Sequence, residues 1–229
     1  MREIVFDTET TGLDPKTGDR MVEIGCVEMV NKVATGATWH GYFNPERDMP
    51  EEAERVHGLS ATFLSDKPLF RDRIDELLEF LGDAPLVAHN AGFDMGFLDC
   101  EMGLCGFEPI PRSRMVDTIA IARKKHPGAK LSLDALCTRY GIDRSHRVKH
   151  GALLDAELLA QVYVELTGGR QIGLELAAEQ TIETQVTAET HRPAPRGPRR
   201  EPRPHHASEH ELAAHKAFVE TLNSPLWGQ

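Results

Sequence analysis

The sequence predicts an α/β fold: a mixed β-sheet flanked by helices, followed by a flexible C-terminal tail. Three observations predict it. An apolar run at residues 2–6 ends in Asp7-Thr8-Glu9-Thr10-Thr11-Gly12, a strand running into a loop. Two further β-like stretches, near 22–30 and 34–43, flank Asn31-Lys32, a dipeptide suited to a tight turn between antiparallel strands. From residue 70 onward, helical spacing alternates with short apolar runs, so helices are available to cover the sheet.

Residues 70–81 carry apolar side chains at 70, 74, 77, 78 and 81, the spacing of one amphipathic helix. Leu86-Val87-Ala88 reads as a short buried strand, with a helix starting near Gly92. Helical patterns recur over 118–124, 133–140 and 152–166, and the compact domain ends near residue 168. After Gly168-Gly169 the composition changes. Residues 180–206 are expected to form a Pro/Arg-rich linker; its stretch 191–206 holds five Pro and five Arg, which makes it stiff and extended. Ser208-x-x-Glu211 has capping-box form, and Leu212, Val219, Leu222, Leu226 and Trp227 come after it. An amphipathic segment as short as 207–229 is marginal alone in water, so it is expected to dock on something.

Composition narrows the function classes. The 229 residues are 40% hydrophobic and 27% charged, as in a soluble globular protein. No apolar run approaches the roughly 18 residues of a membrane helix, and the acidic start does not resemble a signal peptide. Cys26, Cys100, Cys105 and Cys137 form no C-x-x-C pair, so neither a zinc site nor a disulfide framework is indicated. The expected compartment is therefore the cytoplasm. With 26 basic against 36 acidic residues, the net charge of −10 disfavours gripping long nucleic acid by phosphate neutralisation alone. Metals or a partner would have to supply the positive charge.

The acids themselves suggest where metals would go. Asp7 and Glu9, two apart on a strand, share one face, where they repel each other unless a cation intervenes; the alternative is a turn with incidental acids. Asp94 falls just past the second buried strand, either as a ligand or as an acid matching the helix dipole. Asn90 is a candidate helix cap. Asp155 lies on the helical stripe that continues through Leu159, Val162 and Leu166, opposite Glu157, Gln161 and Glu165. A carboxylate there needs a metal or an arginine partner. His150, five residues earlier, is a candidate general base. Such a set suits hard divalent cations, and two of them about 4 Å apart would serve an in-line phosphoryl displacement.

The strings Phe6-Asp7-Thr8-Glu9-Thr10-Thr11-Gly12, His89-Asn90-Ala91-Gly92-Phe93-Asp94 and His150-x-Ala152-x-x-Asp155-Ala156 resemble the three motifs of the DEDDh 3′–5′ exonucleases. They occur in the family's order. The resemblance implies a ribonuclease H-like fold and two bound cations, Mg2+ or Mn2+. Asp7, Glu9 and Asp155 would hold the first, Asp7 would also touch the second, Asp94 would complete the set, and His150 would be the base. It further implies that Glu52 and His57 contact the terminal nucleotide; read plainly, they are a helix acid and a helix end. Phe93 would pack either on the terminal base or on the core.

The tail resembles that of a replicative proofreading nuclease. Gln171-Ile172-Gly173-Leu174-Glu175-Leu176, within 169–179, is similar to the Q-x-x-L-x-L peptide that binds the sliding clamp; an amphipathic extension of the domain is the alternative. Leu226 and Trp227, in the cluster 222–227, resemble a segment that tethers such a nuclease to the polymerase (alpha) subunit of DNA polymerase III. A small theta-like accessory subunit would be a further partner, and a DNA 3′ end the substrate. Two other functions compete: an exonuclease trimming RNA or oligonucleotides, and a non-catalytic subunit bridging clamp and polymerase.

Overall fold

The computed structural model describes residues 1–145, 147, 149–168 and 206–221. Five strands form one mixed sheet: β1 (Arg2–Thr10), β2 (Met21–Val30), β3 (Val33–Tyr42), β4 (Leu86–Ala88) and β5 (Met115–Asp117), in the order β3-β2-β1-β4-β5. The β1–β2 and β2–β3 pairs are antiparallel, whereas β4 runs parallel to both β1 and β5. β1 is central and buries Ile4, Val5 and Phe6 on both faces. Asn31 and Lys32 both adopt positive φ (51° and 66°), the geometry of a tight hairpin turn. That bears out the expected antiparallel pair.

The helices are α1 (Glu51–His57), α2 (Ala61–Leu64), α3 (Ile74–Leu81), α4 (Ala91–Leu104), α5 (Thr118–Lys125), α6 (Leu133–Tyr140), α7 (Ala152–Leu166) and α8 (Glu209–Glu220). The helix expected over 70–81 is two pieces. Phe70–Asp72 is a 3-10 turn, closed by Asp72 accepting the Leu69 N–H at 3.0 Å, and α3 continues from it. Apolar residues pack on both sheet faces. Ile4 and Phe6 meet Leu77, Leu81, Met95 and Leu98 on one side. Val5, Val27 and Val87 meet Ala156, Leu159 and Tyr163 of α7 on the other. A third cluster joins α5, α6 and α7 through Ala122, Leu136, Leu158 and Val162.

One feature of this packing is set by a missing side chain. Gly25 lies opposite Asp7 in the β1–β2 register. A Cβ on it would stand 2.2 Å from the Leu153 nitrogen and 2.5 Å from the Ala152 carbonyl carbon. The first turn of α7 therefore rests directly on strand backbone, beside the acids of β1.

α8 belongs to a separate compact unit. Its capping box is formed: the Ser208 hydroxyl accepts the Glu211 N–H at 3.3 Å, and Glu211 accepts the Ser208 N–H at 2.8 Å. Gln171, Leu174 and Leu176, the linker up to residue 205, and Leu226 and Trp227 lie outside the described residues. All four cysteines are free thiols. Among the described residues, no helix is long and apolar enough to cross a membrane.

Candidate active site

The carboxyl ends of the neighbouring parallel strands β1 and β4, with the first turns of α4 and α7, gather the four predicted acids at one end of the central strands. Open α/β sheets form their binding crevices outside the carboxyl ends of their strands. Asp7 and Glu9 project from β1 toward α7, on the face that also carries Val5. After β4 the chain turns through Asn90 in the left-handed conformation (φ 68°, ψ 49°) and enters α4 at once. Asn90 occupies the N-cap position, but its side chain makes no capping bond. This sharp entry brings Asp94, in the first turn of α4, to the Thr8 hydroxyl, which donates to Asp94 Oδ1 at 2.7 Å. Asp155 arrives from the first turn of α7, on the stripe that buries Leu159, Val162 and Leu166.

The electrostatics are those of carboxylates short of counter-charge. Burial raises the Asp7 pKa well above the usual range, and Asp94, Glu9 and Asp155 add repulsion that Arg147 partly offsets. Glu9 is pushed up to about 8 by burial, then by Glu23 and Asp155. Asp94 is pushed up to about 7 by burial, although hydrogen bonds from Thr8 oppose the shift. Glu9 Oε1 is buried with no hydrogen-bond partner among the described residues. Glu9, His150 and Asp155 each offer a ligand atom, and the three atoms lie within 4.8 Å of one another. A hard cation fits such a donor set.

Sequence reasoning left open an arginine partner for Asp155, and the structure contains one. Arg147 Nε and Nη2 donate to Asp155 Oδ1 and Oδ2 at 2.5 and 2.6 Å, a bidentate fork. Arg147 Nη1 reaches Asp134 on α6 at 2.8 Å, and Nη2 lies 2.7 Å from His150 Nδ1. His150 Nδ1 is also 3.1 Å from Asp155 Oδ2, and its side chain is 47% exposed. The His150 loop leans on α1: His150 N–H donates to Val56 O at 3.4 Å, and Lys149 covers Gly58.

Three chemically placed residues escaped the sequence reading. Arg147 had no motif of its own. Glu23 lies directly across from Glu9 in the register and is buried, 2.7 Å from His40 Nε2 on β3. The signal for Glu23 was the alternation of β2, which puts it on the same face as Gly25.

The Exonuclease (RNase_T) family model matches residues 4–163. This chain belongs to the Exonuclease (RNase_T) family, alongside the epsilon subunits of DNA polymerase III. It is 44% identical over 238 residues to the DNA polymerase III subunit epsilon of Salmonella typhimurium (strain LT2), covering 99% of this chain and 97% of that one. The Escherichia coli K12 epsilon subunit is 42% identical, with 99% and 97% covered. That of Rickettsia felis is 54% identical over 187 residues, with 80% and 81% covered. The exonuclease fold itself recurs in solved structures. The nuclease domain of 3′hExo, a DEDDh family member bound to rAMP, superposes with a TM-score of 0.63 at 17% identity, covering 72% of this chain and 91% of that one. Exonuclease X in complex with 5′ overhanging duplex DNA gives 0.56 at 24% identity, covering 72% and 90%.

Other predicted positions of this exonuclease sit less centrally. Glu52 is exposed on α1, and His57 is buried at its end. His57 Nδ1 accepts the Leu59 N–H at 3.0 Å, Nε2 is buried without a partner among the described residues, and burial lowers the ring's pKa. Phe93 packs on Phe97 (ring centroids 5.0 Å apart) and also lines a cleft of about 300 Å³ with Leu13, Gly92 and Gly96.

Proposed function

We propose that this exonuclease proofreads for a bacterial DNA polymerase III, removing mispaired nucleotides from DNA 3′ ends as nucleoside 5′-monophosphates. One observation carries the reading. Glu9, His150 and Asp155 bring ligand atoms within 4.8 Å of one another, and Asp7 and Asp94 interact electrostatically in the same cluster, in a chain that aligns over nearly its whole length with epsilon subunits.

The donor set suits hard divalent cations, and we assign it two, Mg2+ or Mn2+. Asp7, Glu9 and Asp155 are assigned to the first, Asp7 also to the second, and Asp94 completes the set. When bound, the cations would supply the positive charge that stabilises both the attacking and the leaving oxygen of the displacement. His150, exposed at the mouth of the cluster, is assigned the proton of the attacking water. Asp94 is held for its task by Thr8. His57, whose Nε2 is buried without a hydrogen-bond partner among the described residues, and Glu52 on the same helix are assigned to the terminal nucleotide. Selectivity for mispairs arises because drawing nucleotides into the site costs least where pairing and stacking are already lost.

The tail residues carry the partner assignments. Gln171, Leu174 and Leu176 would enter the sliding clamp, while Leu226 and Trp227 would anchor the polymerase alpha subunit. A theta-like subunit would complete the complex, which works in the cytoplasm.

The test is degradation of paired and mispaired primers by the full-length chain, with Mg2+ and with chelator. Mispaired ends should be cut faster, and only with the metal. Asp7→Asn should abolish cutting while leaving the melting curve cooperative. His150→Ala should lower kcat by about 100-fold or more, the usual worth of general-base catalysis, with little change in KM. Cutting by Asp7→Asn at the wild-type rate would overturn the ligand assignment.

A further inference from the structure

Arg147 has two claims on it that a metal ligand set would not predict. Its guanidinium donates to both oxygens of Asp155, so a cation approaching that carboxylate meets a fixed positive charge while the fork is closed. Its Nη2 also faces the Nδ1 lone pair of His150. An imidazole nitrogen either accepts or donates. While Nδ1 accepts from Arg147, it cannot donate to Asp155 Oδ2 only 3.1 Å away, and the ring's proton must sit on Nε2. With Nδ1 engaged and Nε2 protonated, neither nitrogen is free to receive a proton from water.

The guanidinium is well held. Its side chain is 8% exposed, and Asp134 on α6 anchors Nη1 at 2.8 Å. Asp134 also pairs with Arg144 at 2.6 Å, so it has a second cation if Arg147 shifts. The positive charge of Arg147 lies among carboxylates whose mutual repulsion it eases, since it opposes the upward shifts of both Asp7 and Glu9. A divalent cation would relieve the same repulsion with twice the charge.

We propose that Arg147 is a positioning residue that holds Asp155 and His150 as an internal counter-cation and yields both when a divalent cation takes Asp155. Arrival of the metal and release of the base are thereby one event. This rests on Asp155 being a metal ligand, as proposed for the exonuclease reaction.

The test uses the full-length chain without DNA and reads Mn2+ binding by electron paramagnetic resonance together with thermal melting. Arg147→Gln should bind Mn2+ about tenfold more tightly, the worth of one forfeited charge-assisted contact. Its melting temperature should fall in chelator and recover in Mn2+, and Arg147→Lys should lie between. A residue that merely braces the loop gives the opposite pattern: unchanged or weaker Mn2+ binding and equal destabilisation with and without metal. Either result would overturn the proposal. Should Arg147→Gln not fold, the wild-type Arg147 Nε–H resonance, identified by its loss in Arg147→Lys, supplies the answer. It should move during an Mg2+ titration, and a signal unmoved at saturation overturns the competition. Asp155→Asn separates ligation from competition. If it binds Mn2+ like the wild type, the ligand assignment fails; if it loses binding while Arg147→Gln gains none, only the competition fails.

Discussion

Glu9 and Asp94 carry the plainest chemical signature of the site, because both hold protons at pH values where ordinary carboxylates do not. Their folded pKa values, about 8 and about 7, stand above the unfolded ones. The folded state therefore binds more protons than the unfolded state between roughly pH 4 and 8. Their contribution to stability is complete below that window and lost as pH rises through the folded values. Melting in chelator should show a decline across pH 5 to 8.5 that Glu9→Gln and Asp94→Asn each reduce. Saturating Mg2+ should flatten it, since a bound cation replaces the protons. Gly25 is a third residue whose replacement is diagnostic. Alanine there meets the backbone of Leu153 and Ala152, which cannot swing aside as a side-chain tip can. Gly25→Ala should cost about 1–3 kcal/mol by overpacking, measured by denaturant melting. Activity should fall further than stability, because the displaced turn carries Asp155.

Elements divide sharply in how well the sequence announced them. α6 and α7 span the expected ranges, and the Asn31-Lys32 hairpin formed, because apolar period and turn chemistry are local signals. β5 was invisible: three residues, all half-buried, made a strand by pairing with β4 and by packing of Met115 and Val116 on opposite cores. Four acids and a histidine were legible because their motifs are local strings. Arg147, Glu23 and His40 were not, since each acquires meaning only from a partner that folding delivers. Even the orientation of α4 depended on Asn90 adopting a left-handed turn rather than capping with its side chain. Within α4, Gly96 has nothing within 4 Å of where a Cβ would be. Gly96→Ala should stabilise the chain by up to about 1 kcal/mol, the helix-propensity difference, measured by denaturant melting. That gain would mark the cleft beside Phe93 as open by more than packing need.

At the scale of the molecule, charge and partnership belong together. The chain's −10 leaves DNA attraction to cations at the site and to whatever brings the chain to a primer end. α8 exposes Leu212 and Phe218, 58% and 60% accessible, and none of its residues is buried. Such a helix suits a partner's groove. Deleting the chain from Gln180 onward should leave cutting of short single strands intact and abolish co-purification with the polymerase alpha subunit. Retained capture would remove the tether from the proposed function.

The packing of α7 on β1 also has a consequence for how the protein is made. The first strand and the last helix of the nuclease domain meet at its centre: the Tyr163 hydroxyl donates to Glu3 Oε1 at 2.7 Å across 160 positions. Asp7 and Asp155 lie on that same strand and helix, so the pairing of β1 with α7 brings them together as well. Nearly the whole domain must therefore leave the ribosome before the acidic set can close, and contacts of such separation form late and slowly. A nascent chain is a nuclease in sequence long before it is one in chemistry, and its cutting power is withheld until the fold is complete.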